Sequence, residues 1–308
     1  MKRNQLEHIP VMRDAVLAAL ELKPQGRYLD ATFGRGGHAA GMLSALDDGG
    51  RLLVMDRDPE AIAEARRLYA DDSRVSIRHG NFADLNDWSE VREGLDGALF
   101  DLGVSSPQLD RAERGFSFQA DAPLDMRMDT TQGESAADFL EAADVRAIAD
   151  VLWRYGEERM SRRIARAIVA RREQQPIRRT GELADLIAAV VGRREKGKHP
   201  ATRSFQALRI HVNGELDAVQ QGLVAVLDCL KPGARLAVIS FHSLEDRLVK
   251  RFMRDQSGHV VADRRLPPAA AKPVRLRTIG KARFADAAEL ADNPRARSAV
   301  LRVAEVPT

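Results

Sequence analysis

"RYLDATFGRGGHAAGML" runs from Arg27 to Leu43. A short apolar run ends in a carboxylate, Asp30, and three glycines follow within four positions, Gly34, Gly36 and Gly37. A strand that enters a glycine turn and leaves as a helix opens a nucleotide-binding α/β fold, and Gly34, Gly36 and Ala39 fit the G-x-G-x-x-(G/A) spacing of that turn. Asp30, four residues before the first glycine, argues against a pyrophosphate at this point, because it would repel one at short range. The pattern D-x-x-x-G-x-G suits a ligand that is cationic here. S-adenosylmethionine, with a sulfonium, an ammonium and no phosphate, meets that requirement; a nicotinamide dinucleotide, the rival for the same turn, does not.

Further apolar runs at 51–56, 75–80 and 97–103, like the one at 27–33, predict short buried strands with helical periods between them. "HAAGMLSALDD" opens on the glycine turn, and "DPEAIAEARRLYA" offers Asp58 as N-cap with Pro59 at the first helical position. Strands alternating with helices predict parallel crossovers and a doubly wound α/β sheet. From about 105 to 213 the strand signal stops. The irregular "SSPQLDRAERGFSFQADAPLDMRMD" gives way to helical periods in "AADFLEAADVRAIADVLWRYG", "EERMSRRIARAIVARREQQ" and "GELADLIAAVVG", followed by a basic loop, "RREKGKHPATRS". The α/β pattern resumes with a helix around "ELDAVQQGLVAVLDCL", a turn at Lys231-Pro232-Gly233, a strand at "RLAVISF" and a last strand at "SAVLRVAEV". The expected organisation is a discontinuous sheet domain, 1–105 and 213–308, interrupted at the carboxyl end of the sheet by a mostly helical basic insert, 106–212. "RLPPAAAKP" (265–273) reads as a surface loop.

The chain of 308 residues, 44% hydrophobic and 30% charged, is long enough for substantial cores. No apolar run approaches the roughly 20 residues that span a bilayer, and "MKRNQLEHIP" has no apolar signal region, so a cytoplasmic location and no membrane partner are expected. The single cysteine, Cys229, excludes an internal disulfide and a cysteine-built zinc site. No metal site is expected. Between Arg154 and Arg209 stand 15 Lys/Arg against 6 Asp/Glu, although the whole chain carries only +3. Such a concentration suits phosphate-backbone contacts, its alternative being a merely solvated helix face. Arg162, Arg163 and Arg166 share a helix with Ile164, Ile168 and Val169, so a basic face opposite an apolar one is expected. Few aromatics interleave with the charge, which argues against a stacking platform for long single strands.

Asp56 ends the second strand 22 residues after Gly34, where an acid meets ribose hydroxyls in nucleotide-binding sheets. A helix-capping role is the alternative, but Asp58 already fills it. Asn81, Phe82 and Asp84 follow the third strand and could pack against and hydrogen-bond an adenine, while a Phe there serves equally as core. The fourth strand ends in "DLGVSSPQ", which gathers Asp101, Ser105, Ser106 and Gln108. An exocyclic amine is a poor nucleophile because its lone pair is delocalised into the ring, so an enzyme must accept its protons and aim it; Asp101 and a serine hydroxyl could do so. His242, in "SFHSLEDR" after the fifth strand, could hydrogen-bond a base, shuttle a proton or cap the next helix. His38 leaves the same choice open. Absent motifs exclude other chemistries: there is no H-x-E with P-C-x-x-C for a zinc deaminase and no phosphate loop for nucleoside triphosphates. Cys229 lies before a turn rather than beside the glycine loop, which disfavours a covalent C5 pyrimidine mechanism.

These motifs, together with "HIPVM", "DRDP", "PLDMRMD", "YGEER", "RIARAIV", "HPATRSFQALRI" and "NPRARSAVLRV", resemble the RsmH (MraW) family of 16S ribosomal RNA cytosine N4-methyltransferases over nearly the whole chain. The resemblance implies a class I, Rossmann-like methyltransferase sheet with an inserted helical substrate-recognition domain. It implies S-adenosylmethionine held by Gly36, Gly37, His38, Asp56, Phe82, Asp101 and Gln108, to which the spacing argument adds Asp30 and Gly34. The implied product is N4-methylcytidine at position 1402 of 16S ribosomal RNA within the small ribosomal subunit, with no DNA substrate. For that reaction the expected catalytic residues are Asp101, Ser106 and His242. A non-catalytic ribosome assembly factor that merely retains the fold is the rival of another class.

Overall fold

A computed structural model describes residues 10–192, 199–258 and 273–308. The charged part of the basic loop (193–198) and residues 265–272 of the proline-rich loop lie outside the described residues. The chain divides into two compact units, Met1–Gly103 with Leu216–Thr308, and Val104–Glu215.

In chain order the first unit begins with α1 (Arg13–Leu20), β1 (Arg27–Asp30), α2 (Gly37–Leu43), β2 (Arg51–Asp56), α3 (Pro59–Leu68), β3 (Val75–His79), α4 (Ser89–Arg92) and β4 (Leu95–Asp101). The second unit holds α5 (Ser106–Asp110), α6 (Ala136–Ala142), α7 (Val145–Gly156), α8 (Ser161–Arg172), α9 (Thr180–Val191) and α10 (Thr202–Asn213). The first unit is completed by α11 (Glu215–Cys229), β5 (Leu230–Ser240), α12 (Ser243–Gln256), β6 (Arg277–Thr278), β7 (Arg283–Phe284), α13 (Ala287–Asp292) and β8 (Val300–Glu305).

The sheet runs β3-β2-β1-β4-β5-β8-β6, with β1 to β5 parallel and β8 antiparallel to β5. Alternate residues of each strand face opposite layers, so strands buried on both sides must be apolar throughout. Leu29, Leu53, Phe100 and Val238 join one core with Leu223 and Val226 of α11 and Met253 of α12. Their neighbours Tyr28, Leu52, Leu99 and Ile239 join the other with Val16 of α1, Met42 of α2 and Ala65 of α3. Helices therefore cover both faces, as expected of a doubly wound sheet. Strand order reverses between β1 and β4, which opens a crevice at their carboxyl ends.

Three local differences from the sequence reading have physical causes. β1 stops at Asp30 instead of running to Phe33 because the chain splays there: the Ala31 N–H donates to Leu99 O on β4, and the Phe33 N–H to Met55 O on β2, both at 2.9 Å. The Lys231-Pro232-Gly233 turn is absorbed into β5 as an irregularity, where pairing jumps from Leu95↔Leu230 to Gly97↔Arg235 around Gly233, whose φ is 77°. A helix, α10, replaces the end of the basic loop and continues to Asn213.

In the second unit the helical stretches form, the first of them broken into α6 and α7 where extended Ala143 and the N-cap Asp144 intervene, and the only β pairing among its described residues is one isolated bridge, Pro123↔Arg179. Its core gathers Ile148, Leu152, Ile164, Ile168, Leu183 and Leu208. Buried Asn213 ties the preceding loop to α10: its Nδ2 donates to Met126 O (2.7 Å) and Arg209 O (2.9 Å), and its Oδ1 accepts from Met128 N (2.8 Å). No helix among the described residues is long and apolar enough to cross a membrane.

Candidate active site

Asp30 and Asp101 end β1 and β4, the two strands that flank the switch point, and Asp56 ends β2 on the other side of β1. Three acids thus stand at the carboxyl edge of three adjacent strands. Asp30 is 1% exposed; its Oδ1 accepts from the Thr32 N–H at 3.1 Å, whereas its Oδ2 is buried with no partner among the described residues. Burial pushes its pKa up to about 6, against the pull of His38 and of the Thr32 N–H, and the nearby Asp101 and Asp56 carboxylates add to the rise.

Asp101 is fixed from its backbone, whose N–H donates to Thr32 Oγ1 at 2.7 Å. Its Oδ1 is likewise buried and unpartnered, and its Oδ2 lies 3.5 Å from His38 Nε2. His38, on the first turn of α2, is 5% exposed, and neither ring nitrogen makes a hydrogen bond among the described residues. Burial opposes its protonation, but the Asp101 and Asp30 carboxylates outweigh that and raise its pKa. Each unpartnered buried polar atom costs about 1–3 kcal/mol, and native proteins keep few of them. Several within one crevice describe a ligand site.

Asp56 is engaged differently. Its Oδ2 accepts from the Gly34 N–H and its Oδ1 from the Asp58 N–H, both at 2.8 Å, so it braces the glycine turn against the start of α3. Each oxygen keeps a second lone pair for a ligand hydroxyl. Burial pushes its pKa up to about 6, while those two N–H groups pull it down. Asp58 caps α3 by accepting from Glu60 N at 3.0 Å, as the spacing predicts. In the turn itself Gly34 and Gly36 have φ of 55° and 78°. A Cβ on Gly36 would press into the Phe33 ring at 2.7 Å, and one on Gly37 into Pro10 at 2.3 Å, so only glycine permits this path.

Phe82 follows β3 and packs edge-on against Phe100 with ring centroids 5.3 Å apart; its ring also fills the space where Gly222 of α11 lacks a side chain. Phe82 is half-buried and packs against the core of the first unit just after the carboxyl end of β3. Asn81 accepts from Ala83 N and starts the short turn that carries Phe82, which accounts for its place in the motif.

His242 occupies the N-cap of α12: its Nδ1 accepts from the Glu245 N–H at 3.4 Å, and its Nε2 lies 3.1 Å from Glu245 Oε1. Glu245 is buried and closes the capping box, its Oε2 accepting from the N–H groups of Phe241 (2.8 Å) and His242 (3.2 Å). With Nδ1 used as acceptor, the neutral ring carries its proton on Nε2, a tautomer assigned from this network, so the capping alternative describes the geometry. Ser106 and Gln108 belong to the second unit: Ser106 begins α5 and is buried, and Gln108 Oε1 accepts from the Ser105 N–H at 2.9 Å. The motif reading passed over Thr32 and Glu245. Glu245 was legible as the third residue after His242, the capping-box spacing; Thr32 lies inside the opening stretch, but only the sheet register brings it to β4.

The set as a whole can hold a compact cation. Unpaired carboxylate oxygens at the crevice would lower their own desolvation cost by pairing with an ammonium or sulfonium, and would repel a phosphate. Their chemistry fits S-adenosylmethionine.

The sequence matches the MraW methylase family over residues 5–307. The Ribosomal RNA small subunit methyltransferase H of Stenotrophomonas maltophilia is 63% identical over 298 residues, 97% of this chain and 92% of that protein. The protein of the same name from Xanthomonas euvesicatoria is 59% identical over 305 residues, 99% of this chain and 90% of that one. Among solved structures, an rRNA methylase from Streptococcus thermophilus covers 100% of this chain and 99% of its own at 12% identity and a TM-score of 0.43.

Proposed function

Since the chain belongs to the MraW methylase family, we propose that it transfers a methyl group from S-adenosylmethionine to the N4 amine of a cytidine in small-subunit ribosomal RNA, cytidine 1402 of the 16S molecule. The coarser statement stands on the relatives: it is an S-adenosylmethionine-dependent methyltransferase of small-subunit ribosomal RNA with a class I sheet. The observation that carries the finer reading is Asp101, a fixed carboxylate at the switch point with one buried oxygen free to accept an N–H.

S-adenosylmethionine, when bound, supplies an electrophilic methyl on sulfur. Asp30, Gly34, Gly36, Gly37, His38, Asp56 and Phe82 are the residues that would hold it. Asp101 would accept a hydrogen bond from the cytosine amine, direct its lone pair, and receive the proton lost as the new C–N bond forms. His38 Nε2 stands 3.5 Å from Asp101 Oδ2, where it would position that carboxylate, whose charge helps to raise the His38 pKa. His242 acts in this reading by fixing the loop after β5, since its acceptor nitrogen is committed to the cap. A covalent route through cysteine is disfavoured: Cys229, the chain's one cysteine, is buried at the end of α11 and burial raises its thiol pKa. A ribosomal substrate also accords with a cytoplasmic location.

Small subunits that lack the modification, incubated with the protein and methyl-labelled S-adenosylmethionine and then digested to nucleosides, test this. Label in N4-methylcytidine is the expected result. Label confined to another nucleoside overturns the choice of atom, and absence of label favours the assembly-factor rival.

A further inference from the structure

On the second unit, α7 and α8 pack together over Leu152, Ile164 and Ile168, and beside that seam lies a groove of about 650 Å³. Arg146, Arg154, Arg162 and Arg166 line it, Ala149 contributes apolar floor, and Asp150 is its single acid. All four arginines are exposed, and none forms an ion pair among the described residues. That distinguishes them from the arginines that build this unit. Arg127 is paired with Asp125 at 2.7 Å and Arg209 with Glu215 at 2.8 Å, while Arg172 donates to the carbonyls of Leu140 and Ala143.

Helical spacing adds a fifth element. At 100° per residue, Trp153 lies within about 20° of Arg146 on the surface of α7, between the directions of Ala149 and Asp150. Trp153 is 57% exposed, whereas the chain's other tryptophan, Trp88, is 6% exposed and donates to Glu90. A large aromatic left in water on the face of α7 that carries Arg146 and Arg154, beside a groove that Arg162 and Arg166 of α8 also line, has no folding rationale, since α7 turns its opposite face, Ile148 and Leu152, into the core. Arg146 and Arg154 are two turns apart, about 12 Å along the helix, long enough to meet more than one phosphate.

We propose that this groove is an RNA-binding surface in its own right, in which the arginines hold the phosphodiester backbone of an unpaired segment and Trp153 stacks on one of its bases. It rests on the ribosomal RNA reading above and names where, on the second unit, that substrate is gripped. An unpaired segment is specified because a stacked base must leave its own helix to meet the indole. Asp150 opposes the backbone charge, which keeps the grip moderate. The aromatic contact that the residue pattern failed to supply comes from a single exposed side chain.

The test uses the full chain and a short unstructured oligoribonucleotide, titrated at several salt concentrations. Binding should quench the exposed tryptophan emission, and Trp153→Phe should abolish that quench because only buried Trp88 remains. Trp153→Ala should weaken binding about ten- to a hundredfold, the usual loss of a base stack. Arg162→Gln with Arg166→Gln should lower the slope of log affinity against log salt by about 1.4, two single-strand phosphate contacts. Asp150→Asn should tighten binding several-fold, an effect no loss of structure can mimic. S-adenosylmethionine titration of each variant should match the parent, which separates lost RNA contact from lost fold. Unchanged affinity and slope in the arginine variant, with no quench, overturn the proposal; so does polyglutamate competing as well as RNA of equal charge, which would make the partner an acidic protein segment. Methyl label found on a different nucleoside would overturn the reading of the first unit while leaving these binding results intact.

Discussion

The two units keep uncompensated charge in opposite ways. At the carboxyl edge of the sheet, Asp30 and Asp101 hold bare oxygens in the interior; on α7 and α8, four arginines stand bare in water. A buried unpaired charge pays a continuous desolvation cost and is relieved by one ligand of matching sign and shape. An exposed one costs almost nothing and attracts any polyanion, with an affinity that salt erodes. The first arrangement selects a small molecule, and the second retains a large one. Perturbing each unit should therefore give different signatures.

The strongest break should come at Asp101. Asp101→Asn keeps shape and the backbone bond to Thr32 but removes the proton acceptor, so turnover should fall about 10²- to 10⁴-fold, while RNA affinity stays at the parental value. Single-turnover methyl transfer on small subunits measures it. A variant within threefold of the parent would remove Asp101 from the chemistry and leave the buried acids as cofactor ligands only.

Asp30→Asn should cost S-adenosylmethionine about ten- to a hundredfold in affinity, the worth of a charged hydrogen bond, by calorimetric titration. It should also stabilise the ligand-free protein. Asp30 in the folded chain titrates near 6, above its usual range, so the unfolded chain ionises first as pH rises. Stability from this group is full below about pH 4, is lost between about 4 and 6, and stays lost above, on the order of 3 kcal/mol. Thermal melts of the variant and parent at pH 7 should show the variant higher, and the gap should close at pH 4.

The same acids set the pH dependence of cofactor binding. A cation beside Asp30 and hydroxyl donors at Asp56 favour the ionised acids, so affinity should be full above about pH 6 and fall as pH drops through it, by up to tenfold per unit for each coupled acid. Titration below pH 6 in buffers of different ionisation enthalpy should reveal protons released on binding. No proton release would mean that Asp30 and Asp56 are already ionised without ligand. RNA binding to the arginine groove, by contrast, should respond to salt, through the counterions that phosphate contacts release.

Legibility differed between the units for related reasons. The sheet could be read because its central strands are apolar on both faces and three of them, β1, β2 and β4, end in a signal residue, Asp30, Asp56 and Asp101. The splay after Asp30 and the irregularity at Gly233 could not, because both depend on pairing with β2, β4 and β8 that no local pattern encodes. The short β6 and β7 exist only as partners of the β8 edge. In the insert, helical period exposed α7, α8 and α9, but α10 was masked by the basic run that leads into it. Trp153 lies within an amphipathic period that carries no sign of its exposure. Site residues that act through side-chain chemistry stood out, and those that act through tertiary register, such as Thr32, did not.

The smallest expected effect concerns His242 and decides whether the edge of the sheet holds one reactive carboxylate or a carboxylate and a base. If the ring serves as the N-cap of α12, His242→Ala should lower unfolding free energy by about 1 kcal/mol, and His242→Asn, a good capping residue, should restore most of it. Turnover should then track stability, reduced slightly in the alanine variant and close to parental in the asparagine one. Denaturant melts alongside methyl transfer separate the alternatives, because a proton shuttle would leave His242→Asn stable yet slow. The Nδ1 that accepts from the Glu245 N–H argues for the first outcome: in the neutral ring the other nitrogen carries the proton, and it is buried 3.1 Å from Glu245 Oε1 without a hydrogen-bond partner among the described residues. To accept a proton His242 would have to give up its cap, so a hundredfold loss in His242→Asn would imply that the start of α12 opens during turnover.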